Sequence, residues 1–281
     1  LGGRRRIQNK TGGGASTRRT VARSAGGVQF MTAMFAIAWR ELRNLFLSPF
    51  AWTILATVQL VLAWRFLTLV QYVLDVQPRL AASQSSVGVT DMVAANLFNF
   101  AAIVMLFVTP LLTMGLIAGE RRGCRLTLLR TAPLSSATIV LGKYLGVLGF
   151  LALLVLLVGS MPLALLLGAP LDLGVVATGM LGMFLVVAAF AAVGLYASAV
   201  AGYPAVAAVI SFAVLLFLWI ADWAGELADE ATLFTYLSLF GHYRSLLGGL
   251  IDSRDLVYFG LIISLFLVLA VRRFESERVA G

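Results

Sequence analysis

The chain has 281 residues, of which 60% are hydrophobic and 12% charged; its mean hydropathy is +0.96 and its formal net charge +8. A soluble domain averages about 25% charged residues and just under about 50% apolar ones, so this chain lacks the polar surface of a water-soluble globular enzyme. Its single cysteine, Cys124, can form no internal bridge, which excludes a disulfide scaffold as well.

Residues 1–30 are rich in glycine, arginine and serine and read as a disordered basic tail, or as sequence ahead of a start at Met31. A membrane-surface anchor is the alternative. No apolar run follows the arginines before Met31, so a signal peptide does not fit. The remainder, 31–281, reads as a single membrane domain. Over Phe35–Ser48, Phe35, Trp39, Leu42, Leu45 and Phe46 recur at helical spacing, while Arg40, Glu41, Arg43 and Asn44 fall on other positions. That pattern predicts an amphipathic helix on the inner membrane surface, with Trp39, Arg40, Glu41 and Arg43 as its interfacial residues and Pro49 as its stop.

A bilayer-crossing helix needs about 20 mostly apolar residues. Six segments qualify: Phe50–Leu74, Leu97–Ala118, Ala137–Ser160, Val175–Ala199, Tyr203–Asp222 and Leu256–Val271. The predicted architecture is an all-α polytopic protein with six spans. Thr109-Pro110 predicts a kink in the second span, which neighbouring helices can accommodate. Gly179, Gly182 and Gly194 mark the fourth as an inner helix, because small residues permit close helix approach in lipid. Arg65 in the first span reads as a side chain snorkelling toward the outer interface, with Asp222 as a less favoured partner.

Most of the 21 lysines and arginines fall on one side of this plan: in the basic tail, at Arg40 and Arg43, at Arg121, Arg122, Arg125, Arg130 and Lys143 around the second loop, and at Arg272, Arg273 and Arg278. The positive-inside rule then puts both termini in the cytoplasm. It also accounts for the net charge through anionic lipid headgroups, with no nucleic acid required.

The loop 119–133, GERRGCRLTLLRTAP, is basic, yet Leu126 and Leu129 would be wet unless a partner covered them. Pro133 stops the helix it could form. The segment 223–255 opens with Glu226, Asp229 and Glu230 and turns apolar and aromatic, which predicts one or two short helices dipping into the outer leaflet. His242 beside Tyr243 reads as an interfacial hydrogen-bonding pair rather than a catalytic base.

Missing motifs narrow the function. There is no G-x-x-x-x-G-K-[ST] loop; Gly142-Lys143-Tyr144 lacks the hydroxyl residue and a preceding strand. One His and one Cys cannot assemble a His/Cys metal site of ordinary ligand number. No span carries a carboxylate at its middle, which weighs against an ion-coupled secondary transporter.

The stretch Pro110–Gly146, PLLTMGLIAGERRGCRLTLLRTAPLSSATIVLGKYLG, resembles the signature of type-2 ABC export permeases, especially the gliding-motility and copper-maturation branch. The shared pattern is P-L-L-T-M, then E-R-R-x-G-T-L-x-L-L, then A-P-[VL]-S, then [IV]-V-L-G-K-[FY]. It is met at Pro110 to Met114, at Glu120, Arg121, Arg122, Leu126, Leu128 and Leu129, at Ala132 to Ser135 and at Val140 to Tyr144. Cys124-Arg125 stands where the family has Gly-Thr, and Thr127 where it has Glu. The opening IAWRELRNLFLSPFAW is similar to the same branch at Arg40, Glu41, Leu42, Ser48 and Pro49.

The resemblance implies a non-catalytic, multi-pass subunit of a bacterial inner membrane. It would pair as a homodimer or heterodimer on separate ABC ATP-binding subunits, which would hold the ATP and magnesium that this chain does not. An outer-face auxiliary protein is a further implied partner. The coupling loop 119–133 would dock in a groove of the ATPase through Leu126 and Leu129, with Glu120, Arg121, Arg122, Arg125 and Arg130 around them and Pro133 at its end. The competing reading is a membrane anchor of an ATPase-driven assembly without solute flux.

Overall fold

The computed structural model describes the backbone of residues 14–83, 91–122, 135–165, 172–227 and 238–280, and the side chains of 30–76, 93–120, 135–165, 172–221 and 238–277. The described chain is an all-α polytopic membrane protein, with no strand among these residues. Its helices are α1 (Gly14–Leu47), α2 (Pro49–Ser83), α3 (Asn96–Thr113, entered through a π-helical turn at Asp91–Ala95), α4 (Ala118–Arg122), α5 (Ser136–Ala164), α6 (Leu173–Val200), α7 (Pro204–Leu227), α8 (Leu239–Leu247) and α9 (Ser253–Ala280).

Six stretches are long and apolar enough to cross a bilayer: Pro49–Val76, Val93–Glu120, Ser136–Ala164, Leu173–Val200, Pro204–Ala221 and Ser253–Glu277. Each of the six segments read from the sequence overlaps one of them. The last is longer than hydropathy indicates, because Ser253, Arg254 and Asp255 open its first turn and Arg272 to Glu277 continue its end.

Helix α1 differs from expectation at its start. It begins at Gly14, so residues 14–30 continue the helix where composition predicts a disordered tail; residues 1–13 lie outside those described. Arg18, Arg19, Ala22, Arg23 and Ala25 all favour helix, enough to carry it through Gly26-Gly27. Pro49 does separate α1 from α2, and it does so by opening the second helix, where its missing N–H leaves no bond unmade. The Trp52 indole donates to the Phe46 carbonyl at 2.7 Å and closes the corner.

Helix α6 is the hub. Two-thirds (67%) of its most apolar window is buried, against 17% for the spans in α2 and α9, and it packs against α3, α5, α7, α8 and α9. Its glycines make this possible: a Cβ on Gly194 would overlap the Thr113 side chain of α3. The Asp172 carboxylate caps its first turn by accepting from the Gly174 N–H at 2.8 Å.

The kink at Thr109-Pro110 is a full break a turn later. Helix α3 stops at Thr113, and residues 114–117 form a turn before α4. Backbone groups freed inside a membrane need partners. Ser198 of α6 supplies them: its hydroxyl accepts from the N–H groups of Ile117 (3.0 Å) and Ala118 (3.1 Å) and donates to the Met114 carbonyl at 2.9 Å. The short α4 is thereby fixed to the hub.

At the opposite end, α8 is the one short helix described within 223–255; residues 228–237 lie outside. Ser238 caps it by accepting from the Gly241 N–H at 3.0 Å. Burial of Tyr243 pushes its phenol well above the usual range, and the neutral hydroxyl donates to the Phe98 carbonyl at 2.9 Å. His242 places its Nδ1 2.7 Å from the Asp255 carboxylate, and its ring stacks on Tyr258 at 4.0 Å.

Candidate functional site: a charged knot at the root of the loop

Helices α4 and α5 flank residues 123–134, and where they meet α1 four charged side chains come together, Lys143 fully buried, two carboxylates largely shielded and Arg40 half-exposed. Lys143, from the second turn of α5, is 1% exposed. Its ammonium donates to Glu41 Oε1 of α1 and to Glu120 Oε1 of α4, each at 2.8 Å. Arg40 closes the group from the solvent side, with its guanidinium 3.4 Å from Glu41 Oε1 and 3.7 Å from Glu120 Oε1. Two cations face two carboxylates, so the knot is formally neutral. That balance is what lets it exist, since an unpaired ion costs several kcal/mol in such surroundings, by an estimate of about 3–5 for breaking one partner away.

Local sequence delivers each member. Ser135 ends the loop and caps α5, its hydroxyl accepting from the Thr138 N–H at 3.1 Å, so Lys143 stands at a fixed height above the loop. Gly142 and Gly146 bracket it and let α1 lie flush against α5. A Cβ at Gly146 would stand 2.7 Å from Glu41 Cβ and 2.8 Å from the Ala38 carbonyl oxygen; one at Gly142 would stand 2.8 Å from the Ile37 side chain. Tyr144, one residue beyond, donates to the Ala188 carbonyl of α6 at 3.1 Å and ties α5 to the hub. Ser198 does the same for α4.

The interfacial residues expected on α1 therefore divide. Trp39 is exposed, as is Arg43, while Arg40 and Glu41 join the knot. The apolar positions divide too. Leu42, Leu45 and Phe46 pack into the protein, and Phe35 and Trp39 face outward. Helix α1 thus has two apolar faces, one on α5 and one left outside, with Glu41 turned inward between them.

Of the residues expected in the coupling loop, Glu120 is in the knot. Arg121 and Arg122 form the end of α4, with side chains outside those described. Arg125, Leu126, Leu129, Arg130 and Pro133 lie outside the described residues.

Sequence reasoning missed Lys143 as a site residue. It sat among the topology-setting cations, and its partners stand 102 and 23 residues away along the chain. The available signal was a lone lysine inside an apolar run, held between two glycines four residues apart.

No grouping of three or more His, Cys, Asp or Glu suited to a metal ion occurs among the described residues. The knot holds no cysteine, serine or histidine; the buried Glu120 Oε2 has no hydrogen-bond partner, and the rest of the group is paired. It joins three helices, α1, α4 and α5, at the root of one loop. Comparison with protein-family models finds no match, and comparison with curated proteins finds none either.

Proposed function

We propose that the chain is the membrane-spanning permease subunit of an ABC transporter, moving its substrate across a bacterial inner membrane with energy from ATP hydrolysed in separate subunits. The observation that carries this reading is the Lys143 bridge. A loop that is gripped from outside transmits force only if its root is tied to the spans, and here both its flanks are tied, through Glu120 to Lys143 and through Lys143 to Glu41. The resemblance over Pro110–Gly146 supports the same assignment.

In this mechanism the ATP-binding subunits close on ATP and open on hydrolysis. The segment 119–133 sits in a groove of the ATPase, with Leu126 and Leu129 as apolar anchors and Arg121, Arg122, Arg125 and Arg130 at the rim, the usual arrangement of small interfaces. Displacement of the loop carries α4, α5 and α1 as one unit. The second and fifth spans then shift at the seam between two permease subunits, with 223–255 as a lid. Magnesium and ATP belong to the partner.

The test is the double substitution Leu126→Asp and Leu129→Asp in the chain expressed with its ATP-binding subunit. Two carboxylates buried in an apolar groove should abolish co-purification and permease-stimulated ATPase activity, while membrane insertion stays intact. Full retention of stimulated activity refutes the assignment.

A further inference from the structure

A second cation, Arg65, lies well inside a span, and no carboxylate among the described side chains pairs with it. Arg65 lies 16 residues past Pro49 and 11 before Val76 in the first span. At about 1.5 Å per residue it sits only about 4 Å from the middle of that helix. The sequence alone suggests snorkelling toward the outer interface; in the structure the side chain turns to a neighbouring helix.

The guanidinium is instead held at this depth, its carbon 5.7 Å from the centre of the Phe100 ring of α3, and its Nε is buried with no hydrogen-bond partner. Among the described side chains every carboxylate lies at or beyond a span end, and Glu41, Glu120 and Asp255 are already engaged; the side chain of Asp222, the partner considered from sequence, lies outside those described. A central arginine costs about 2.5–3.5 kcal/mol or more, so a counter-anion from outside the described chain is strongly favoured.

The space beside Arg65 shows what kind of anion. A groove of about 770 Å³ opens along α2, lined by Leu60, Val61, Trp64, Leu67 and Phe100. Its other polar lining group, the Thr68 hydroxyl, already donates to the Arg65 carbonyl at 2.7 Å. The groove therefore offers one planar, bidentate cation and otherwise hydrocarbon and aromatic surface, within the volume range of small-molecule sites. A headgroup with further polar atoms would leave them unpaired here.

We propose that this groove binds a long-chain carboxylic acid as its anion, the carboxylate on Arg65 and the alkyl chain along Leu60, Trp64 and Leu67. It is thus a site for an acidic single-chain amphiphile in the plane of the membrane. Identifying that amphiphile as the transported substrate rests on the permease reading; the binding itself does not.

The experiment uses the full chain in nanodiscs of neutral phosphatidylcholine, with a diazirine analogue of palmitic acid and the matching analogue of hexadecanol as photolabels. The acid should label the peptide carrying residues 60–68, and unlabelled palmitate, but not hexadecanol, should compete. Arg65→Gln should cut labelling by the acid at least about tenfold, the scale of a lost charge-assisted pair, and leave labelling by the alcohol unchanged. Equal labelling of the wild-type groove by acid and alcohol overturns the proposal, and that result needs no variant to fold. No ATPase enters the assay, so its failure is separate from failure of the permease assignment, which the loop substitution tests.

Discussion

Replacing Lys143 by methionine is the most direct test of the knot. Methionine keeps the length and the apolar stem and removes only the ammonium. Glu41 and Glu120 then face each other with little between them. Each Oε1 stands 2.8 Å from the ammonium nitrogen in the intact protein, and both carboxylates are largely shielded, at 12% and 15% exposure. Two such charges about 5 Å apart repel by about 3 kcal/mol at an effective dielectric of about 20. Arg40 relieves part of this, but it is half-exposed and its contacts are longer. Lys143→Met should therefore lower the temperature at which the detergent-solubilised protein loses its monodisperse chromatographic peak, by the equivalent of about 3 kcal/mol. Adding Glu120→Gln removes the repulsion and leaves Arg40 with Glu41, so the double variant should regain most of that loss. It should not regain ATPase stimulation, because α4 is no longer tied to α5. A single variant as stable as wild type, or a double variant no better than the single, refutes the electrostatic account.

The break in the second span gives a sharper local test. Ser198→Ala strands the N–H groups of Ile117 and Ala118 and the Met114 carbonyl; it should cost about 1–3 kcal/mol, and hydrogen exchange should speed up at 116–120 with little change elsewhere. Gly146→Leu drives a side chain into the Ala38 carbonyl and Glu41 Cβ and should force α1 off α5, read as loss of a cysteine cross-link engineered between the two helices; an unchanged cross-link yield would show that the close approach is not required.

The spans were legible because hydropathy sums over many residues and tolerates errors at each one. The hub was legible for a related reason: small residues accumulate where helices must touch, and α6 carries Gly179, Gly182 and Gly194. Pro110 announced trouble in the second span, since a residue without an N–H leaves its mark in the sequence itself. Its remedy was illegible. Any hydroxyl on any neighbouring helix could have closed the turn, and Ser198 is one serine among several. The same limit hid the role of Lys143. Charge alone cannot tell a residue that sets topology from one that joins helices, because the distinction lies in what stands opposite, and Glu41 and Glu120 are brought opposite only by the packing of three helices. The residues that would contact an ATPase show the reverse case, since the leucines at 126 and 129 were noticed for having no cover within their own loop.

Two cations within the apolar spans, met differently, separate structure from ligand. Leaving water costs both Lys143 and Arg65, Arg65 at the greater depth in its span. For Lys143 the fold supplies two carboxylates, both from helices earlier in the chain, and the result is a formally neutral joint. For Arg65 the fold supplies an aromatic face and an apolar groove, and no carboxylate among the described residues. A residue that only needed to be tolerated at that depth could be any apolar side chain at lower cost. Retaining a guanidinium there is economical when its partner arrives from outside and leaves again, and the strength of that partnership is bounded by the same desolvation that makes the empty site expensive. The joint at the loop root and the groove on the first span are then opposite answers to one cost: in the first the fold satisfies the cation, and in the second the proposed ligand does.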